Sequence, residues 1–397
     1  MLNRKSSDKL KTNVFICLTF VLVFQNFFQQ FISIFQYVDE IIAVWSFGVI
    51  IYDLYINNFR MGKDDFKIIL LLCILCIIGI MSSIRFEYQT FKNSFIQFLL
   101  FIKFYLVYFA FDNLKIKDVS EKNKKKICKN IKFIMLLLMF FTILNYLFKI
   151  WPAGYRYNIM VNNLFYSHST YLVAVVVYLM CALNIFSSKD KIEWKYIIIS
   201  MLIVISTLRV KGILFVSLSI AILFSFMKNK KKLSIAKTIF LMIFLLIIGW
   251  NQFENYFFND TQARNVLLNK SFLIAYDHFP FGTGFGTYGS FMSSENYSPL
   301  YYKYGLSNIY GLQPNYNKFI CDSFWPMIIG EFGYIGLILY IRIIYLIYRK
   351  IQKNYSNLNY NIYINKMLVL FYLLISSSAE QAFVSPLAIP LAILLSI

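Results

Sequence analysis

Apolar runs of membrane-spanning length recur along the chain, separated by short polar connections. They fall at about Val14–Phe35, Ile41–Ile56, Phe66–Ile84, Phe95–Leu114, Ile131–Ile150 and Leu164–Phe186. They continue at Tyr196–Leu208, Ile213–Met227, Ile235–Trp250, Phe324–Ile347, Met367–Ser378 and Phe383–Ile397. A helix crossing a ~30 Å hydrocarbon core needs about 20 apolar residues, so the pattern predicts an all-α, polytopic bundle of about 12 transmembrane helices. One stretch leaves the pattern. Residues 251–321 turn aromatic, glycine-bearing and sparsely charged. The chain therefore divides into a membrane bundle over 1–250 with nine spans, a polar loop over 251–321, and C-terminal spans over 322–397.

The distribution of Lys and Arg orients this pattern. With the N-terminus inside, the inner connections carry 28 of the 39 basic residues and the outer connections 10, Lys103 lying within a span. Every inner connection up to residue 366 is basic, as the positive-inside rule requires. The N-terminus is thus expected in the cytoplasm and the large loop outside it. Arg4, Lys5, Lys9 and Lys11 precede a first apolar run long enough to span, with no small-residue cleavage site, so a cleaved signal is not expected.

Two neighbouring spans are short. Tyr196–Leu208 would rise only about 20 Å as a helix, and the joining stretch is Ser206-Thr207-Leu208-Arg209-Val210-Lys211-Gly212. Arg209 and Lys211 should then lie in a recess below the outer surface. Within the loop, Asp260 or Thr261 can cap a helix over about Gln262–Tyr276 that ends before Phe279-Pro280. Val266, Leu267, Leu273 and Ile274 give that helix an apolar face for the membrane surface or the bundle.

Composition narrows the function classes. The chain is 59% hydrophobic and 15% charged, against about 25% charged in soluble domains, so its main solvent is lipid. The net charge of +20 does not point to nucleic acid, because the basic residues sit in short connections where they report topology. The six cysteines form neither a disulfide nor a zinc pattern; Cys73 and Cys76 share a helix face. No metal or cofactor is expected.

Candidate chemistry gathers at the outer side. Gly282, Gly284 and Gly286 form a G-x-G-x-G run, but it follows a helix and lacks Gly-Lys-Ser/Thr, which excludes a nucleotide cradle. It is either a tight turn that re-aims the chain or one that lets backbone approach a bulky substrate. Asp322 begins the next span, as a helix cap or a base, while Asp277 and His278 end the loop helix. Glu331, nine residues beyond Asp322, falls on another helix face. Arg156, His168 and Glu380 also lie near the outer side and read as structural. Rings such as Tyr288, Tyr301, Tyr302 and Tyr304 could stack on sugars or anchor the loop at the interface.

The order Arg264, an apolar helix, then His278-Phe279-Pro280-Phe281-Gly282-Thr283-Gly284-Phe285-Gly286-Thr287-Tyr288 resembles the outer-loop signature of bacterial O-antigen polymerases (Wzy type) and O-antigen ligases. The stretch Ser206–Gly212 resembles their Ser-Arg-Gly motif. Asp322-Ser323-Phe324 and Glu331–Leu337 resemble the start of the span after their loop. This chain departs by one Phe between His278 and Pro280, and by Asp322-Ser323 where ligases carry His-Asn, which favours polymerase over ligase. The likeness covers roughly residues 200–340 in the right order.

The resemblance implies a glycosyltransferase of the bacterial plasma membrane, working on the periplasmic or extracellular face without nucleotide or metal. Its substrate would be an oligosaccharide repeat unit on undecaprenyl pyrophosphate, joined to another unit to build O-antigen or capsule. Membrane lipid surrounds such an enzyme, and a chain-length regulator and a flippase are its expected partners. Arg209, Lys211 and Arg264 would hold the pyrophosphate, whose leaving charge calls for fixed cations. Asp322 or His278 would steer the acceptor, with Asp277, Gly282, Gly284, Tyr288, Tyr301 and Tyr302 lining the sugar site. The rival readings are a ligase moving finished glycan to another acceptor, and a flippase or transporter of the same lipid-linked sugar.

Overall fold

Long runs of Ile, Leu and Phe with few helix breakers give long helices, and the described chain is 76% helical. The computed structural model describes residues 2–56, 62–156, 158–187, 192–229, 262–353 and 360–397, with scattered positions between 234 and 254 and at 355. The expected ninth span, Ile235–Trp250, lies outside them apart from isolated positions, as do the expected caps Asp260 and Thr261.

The first half holds α1 (Leu2–Phe28), α2 (Val38–Ile56), α3 (Lys63–Phe86), α4 (Phe91–Leu114) and α5 (Glu121–Phe148). After α5 come an antiparallel hairpin, β1 (Pro152–Arg156) and β2 (Ile159–Asn162), then α6 (Ser169–Phe186), α7 (Trp194–Ser206) and α8 (Val210–Asn229). The polar stretch contributes α9 (Ala263–Asp277) and two short helices, α10 (Phe291–Glu295) and α11 (Pro299–Lys303). The last three are α12 (Trp325–Lys353), α13 (Tyr360–Ser377) and α14 (Ala388–Ser396).

Seven helical segments among the described residues are long and apolar enough to cross a membrane, and α7 and α8 contain shorter apolar helices. The chain is a multi-pass, mainly helical membrane protein. Its outer wall shows lipid the apolar side chains that such a protein needs: Val44, Tyr55, Ile84, Phe133 and Leu147 are all well exposed. Centrally, α6, α13 and α14 are buried along almost their whole length. α13 packs on α6, α8, α12 and α14, and α14 also meets α4 and α6.

Three departures from the sequence reading have physical causes. The connection between the fifth and sixth apolar runs folds as a hairpin, because Trp151-Pro152 and Gly154 interrupt helix and Asn162 is buried as a polar tie. The twelfth run forms only the nine-residue α14, since Ala382–Leu387, with Pro386, is taken up by turns. The loop helix begins at Ala263, behind Gln262. The helix packs on α12, and its buried Leu267 and Ile274 join the loop's own apolar cluster with Tyr288 and Leu300, whereas the expected apolar residue Leu273 is exposed.

Candidate functional site

The turn between α7 and α8 is built before its charge is considered. Leu208 takes a left-handed conformation (φ 49°) that ends α7, a common way to finish a helix. The Thr207 hydroxyl donates to Val204 O at 2.6 Å and accepts from Arg209 N at 3.4 Å. Asn162 in β2 reaches the same turn, its Nδ2 donating to Ser206 Oγ at 3.0 Å. Asn145 of α5 donates to Asn162 Oδ1, also at 3.0 Å. The hairpin therefore braces the turn that carries Arg209.

Arg209 points onto the N-terminus of α6. Its Nε donates to Ser169 Oγ at 2.6 Å and its Nη2 to His168 Nε2 at 2.5 Å. A guanidinium only donates, so His168 Nε2 accepts from Arg209, while His168 Nδ1 lies 2.8 Å from Thr170 Oγ1 and 3.3 Å from Thr170 N at the start of α6. Partial withdrawal from water, then the cations Arg209, Lys211 and Arg156, push the His168 pKa down to about 4. His168 is thus a neutral acceptor that aims Arg209.

One residue beyond the turn, Lys211 pairs with Glu380 at 2.6 Å, both side chains being largely enclosed. Glu380 stands in the turn between α13 and α14, and the neighbouring Gln381 donates from Nε2 to Gly289 O. Arg264, in the first turn of α9, donates from Nη2 to Asp322 Oδ2 at 3.0 Å. Arg209 and Arg264 both act electrostatically on Lys211, and Arg209, Arg264 and Glu380 all act on Asp322. Burial raises the Asp322 pKa, while the two arginines pull it back. Four residues expected to act together are brought together, from positions as far apart as 209 and 322. Asp322 is no helix cap, as α12 starts three residues later and its carboxylate belongs to Arg264.

The structure adds two residues that the sequence reading took as structural, His168 and Glu380. Their only sequence signal is position: His168 near the outer end of the sixth apolar run and Glu380 between the last two, on the side where Arg209 and Asp322 are expected.

The other candidates go elsewhere. His278 lies 14 residues from Arg264 along α9, about 21 Å by helical rise. Its Nδ1–H donates to Ile274 O at 2.8 Å and its Nε2 meets Tyr88 OH at 3.0 Å. The Phe86 ring packs edge-on at 4.8 Å. Burial lowers its pKa, so His278 is a neutral, fully engaged packing residue remote from the cations. Asp277, exposed beside it, accepts from Tyr304 OH at 2.7 Å and is likewise distant from Arg209.

The glycine run is a plug, which corrects its expected place at the sugar site. Thr283 N donates to Gly330 O at 3.0 Å and Gly284 N to Glu331 O at 2.9 Å. The buried Glu331 carboxylate accepts from Thr287 N at 3.0 Å and Tyr288 N at 3.3 Å. A Cβ on Gly282 would sit 2.5 Å from Gly333 N, and one on Gly284 2.4 Å from Ser83 N. Backbone does approach closely here, but it is the backbone of α12 and α3, not substrate. Phe285 inserts among Phe98, Phe101 and Phe332. Tyr288 and Tyr301 are also withdrawn from any ligand: both are fully buried, with their hydroxyls bonded to Leu267 O and Gly289 N at 2.8 Å each. Only Tyr302 of the three tyrosine candidates is exposed.

No protein-family profile matches the chain, and no curated protein matches it either. The functional reading therefore stands on the site.

The neutral state of His168 yields a stability prediction. Its folded pKa is about 4 against an ordinary 6.5, so between those values the unfolded chain binds the proton and the folded chain does not. Stability is expected to be flat in this respect above pH 6.5 and to fall as pH drops from 6.5 toward 4. His168→Gln should remove that slope in thermal unfolding measured across the window, a small effect because water screens the partly exposed ring.

Proposed function

We propose that the protein is a lipid-pyrophosphate-dependent glycosyltransferase that joins oligosaccharide repeat units into a surface polysaccharide. In this reading the bacterial plasma membrane holds the bundle with its N-terminus in the cytoplasm, and the end bearing Arg209 and Arg264 faces outward. The observation that carries it is the convergence of Arg209, Lys211 and Arg264 on Asp322 and Glu380. Among the described residues three cations meet two carboxylates in a partly enclosed place, a setting suited to a phosphate anion.

The chemistry asks little else of the protein. The donor's anomeric carbon loses its bond to the pyrophosphate oxygen as an acceptor hydroxyl attacks. Fixed guanidinium groups aimed at that leaving oxygen stabilise the charge without reorganising. Arg209 meets this need because Ser169 and neutral His168 hold its direction. The exposed Tyr302 and Tyr276 offer ring faces along the same polar segment for a long glycan.

Deleting the gene and sizing the surface glycan tests the proposal. Single repeat units without long chains are expected. Lipid-linked polymer that never reaches its acceptor would instead indicate a ligase, and loss of outward-facing lipid-linked repeats a flippase.

A further inference from the structure

The Lys211–Glu380 pair is an unusual neighbour for a phosphate site. Lys211 is 7% and Glu380 17% exposed, so each charge depends on the other for compensation. The Arg264–Asp322 pair is more open, at 17% and 34%. An anion drawn to Arg209 meets Lys211 two residues away, and there it competes with the Glu380 carboxylate. If phosphate takes Lys211, the enclosed Glu380 carboxylate loses that ion pair, with Asp322 a second negative charge nearby and the arginines Arg209 and Arg264 drawn toward the phosphate. Such a carboxylate becomes a stronger base, and a proton from a nearby hydroxyl relieves it.

Resting on the glycosyltransferase reading, we infer that Glu380 is the proton acceptor of the transfer, masked by Lys211 until donor pyrophosphate displaces it. The acceptor hydroxyl gives its proton to Glu380 as its oxygen bonds the anomeric carbon. The bond from that carbon to the pyrophosphate oxygen breaks, and its electron pair leaves on the pyrophosphate, held by Arg209 and Lys211. Glu380 afterwards returns its proton to water and re-pairs with Lys211. Donor binding thereby arms the base, which guards the donor against idle activation. Gln381, bonded to Gly289 O, tethers the turn that carries Glu380 to the glycine plug, so the carboxylate can shift while its backbone stays in place.

The test separates binding from turnover in purified protein reconstituted in lipid nanodiscs. Binding is measured with undecaprenyl pyrophosphate, and turnover with lipid-linked repeat units extracted from the deletion strain. Glu380→Gln is expected to bind undecaprenyl pyrophosphate at least as tightly as wild type, while turnover falls by about 100-fold or more and loses its acidic pH limb. Glu380→Asp should keep binding and part of the rate. Turnover by Glu380→Gln within about threefold of wild type would overturn the role, and so would parallel loss of binding and turnover, which marks Glu380 as scaffold of the cation site. If Glu380→Gln fails to insert, Glu380→Asp decides: wild-type turnover in that variant overturns the inference. Wild-type protein that neither binds the probe nor extends repeat units would remove the glycosyltransferase reading itself.

Discussion

Arg209→Ala is expected to lower chain extension by about 10²–10³-fold while the protein still inserts and folds. The guanidinium is directed by two contacts, from Nε to Ser169 Oγ and from Nη2 to His168 Nε2, so its position relative to a leaving oxygen does not have to be found anew in each turnover. Removing it takes away a preorganised cation and leaves the turn intact, because that turn is held by Thr207, Asn162 and the backbone of α7. Arg209→Lys should recover only part of the rate, as an ammonium cannot reproduce the fork held by Ser169 and His168. Glycan sizing on the complemented deletion strain, with membrane levels of each variant, checks both. Normal chain lengths with Arg209→Ala would remove the residue on which the proposed chemistry turns.

The cation site was legible in the sequence because burial of charge in a membrane protein is costly and therefore informative. A 13-residue α7 followed by Thr207-Leu208-Arg209 brings the basic residues of the next turn inward, and the structure encloses Lys211. Arg264 and Asp322 were legible as charges flanking one polar segment, though nothing in their spacing says that they pair. Glu380 was not legible as a partner, because the Lys211–Glu380 contact joins residues far apart in sequence across the closure of the bundle.

The glycine run illustrates a different limit. Glycine at Gly282 and Gly284 reports that something approaches too closely for a Cβ, and that signal is the same whether the visitor is sugar or backbone. The answer lies at Gly330–Gly333, about 50 residues on, where α12 breaks to receive the plug. His278 was misleading for a related reason. A histidine at a helix end suggests chemistry, yet its ring partner is Tyr88, 190 residues earlier. The β1–β2 hairpin falls in the connection between two apolar runs, where strands of five and four residues are too short to stand out as a pattern of their own.

Gly333→Ala is expected to cost about 3 kcal/mol or more of stability and to detach the polar segment from the bundle. Gly333 has φ 67° and ψ −168° inside α12, a conformation reserved almost entirely for glycine. An added Cβ would lie 2.6 Å from Pro280 O and 2.7 Å from Gly282 N, and both contacts are backbone, so no side chain can swing aside. The helix could relieve the clash only by straightening, which would withdraw Gly330 O and Glu331 O from Thr283 N and Gly284 N. Glu331 would then lose its bonds to Thr287 and Tyr288, leaving a carboxylate buried without donors. Gly48→Ala is the control: no atom lies within 4 Å of its added Cβ, and a helix favours Ala over Gly. Thermal unfolding in detergent should fall sharply for Gly333→Ala and hold or rise for Gly48→Ala, with new proteolytic cleavage in residues 280–322 confined to the former. Because Gln381 ties the Glu380 turn to Gly289 in this plug, Gly333→Ala should also lower chain extension although it touches none of the charged residues. Full activity in a stable Gly333→Ala protein would separate the plug from the site and leave Arg209 and Lys211 to act without the polar segment's support.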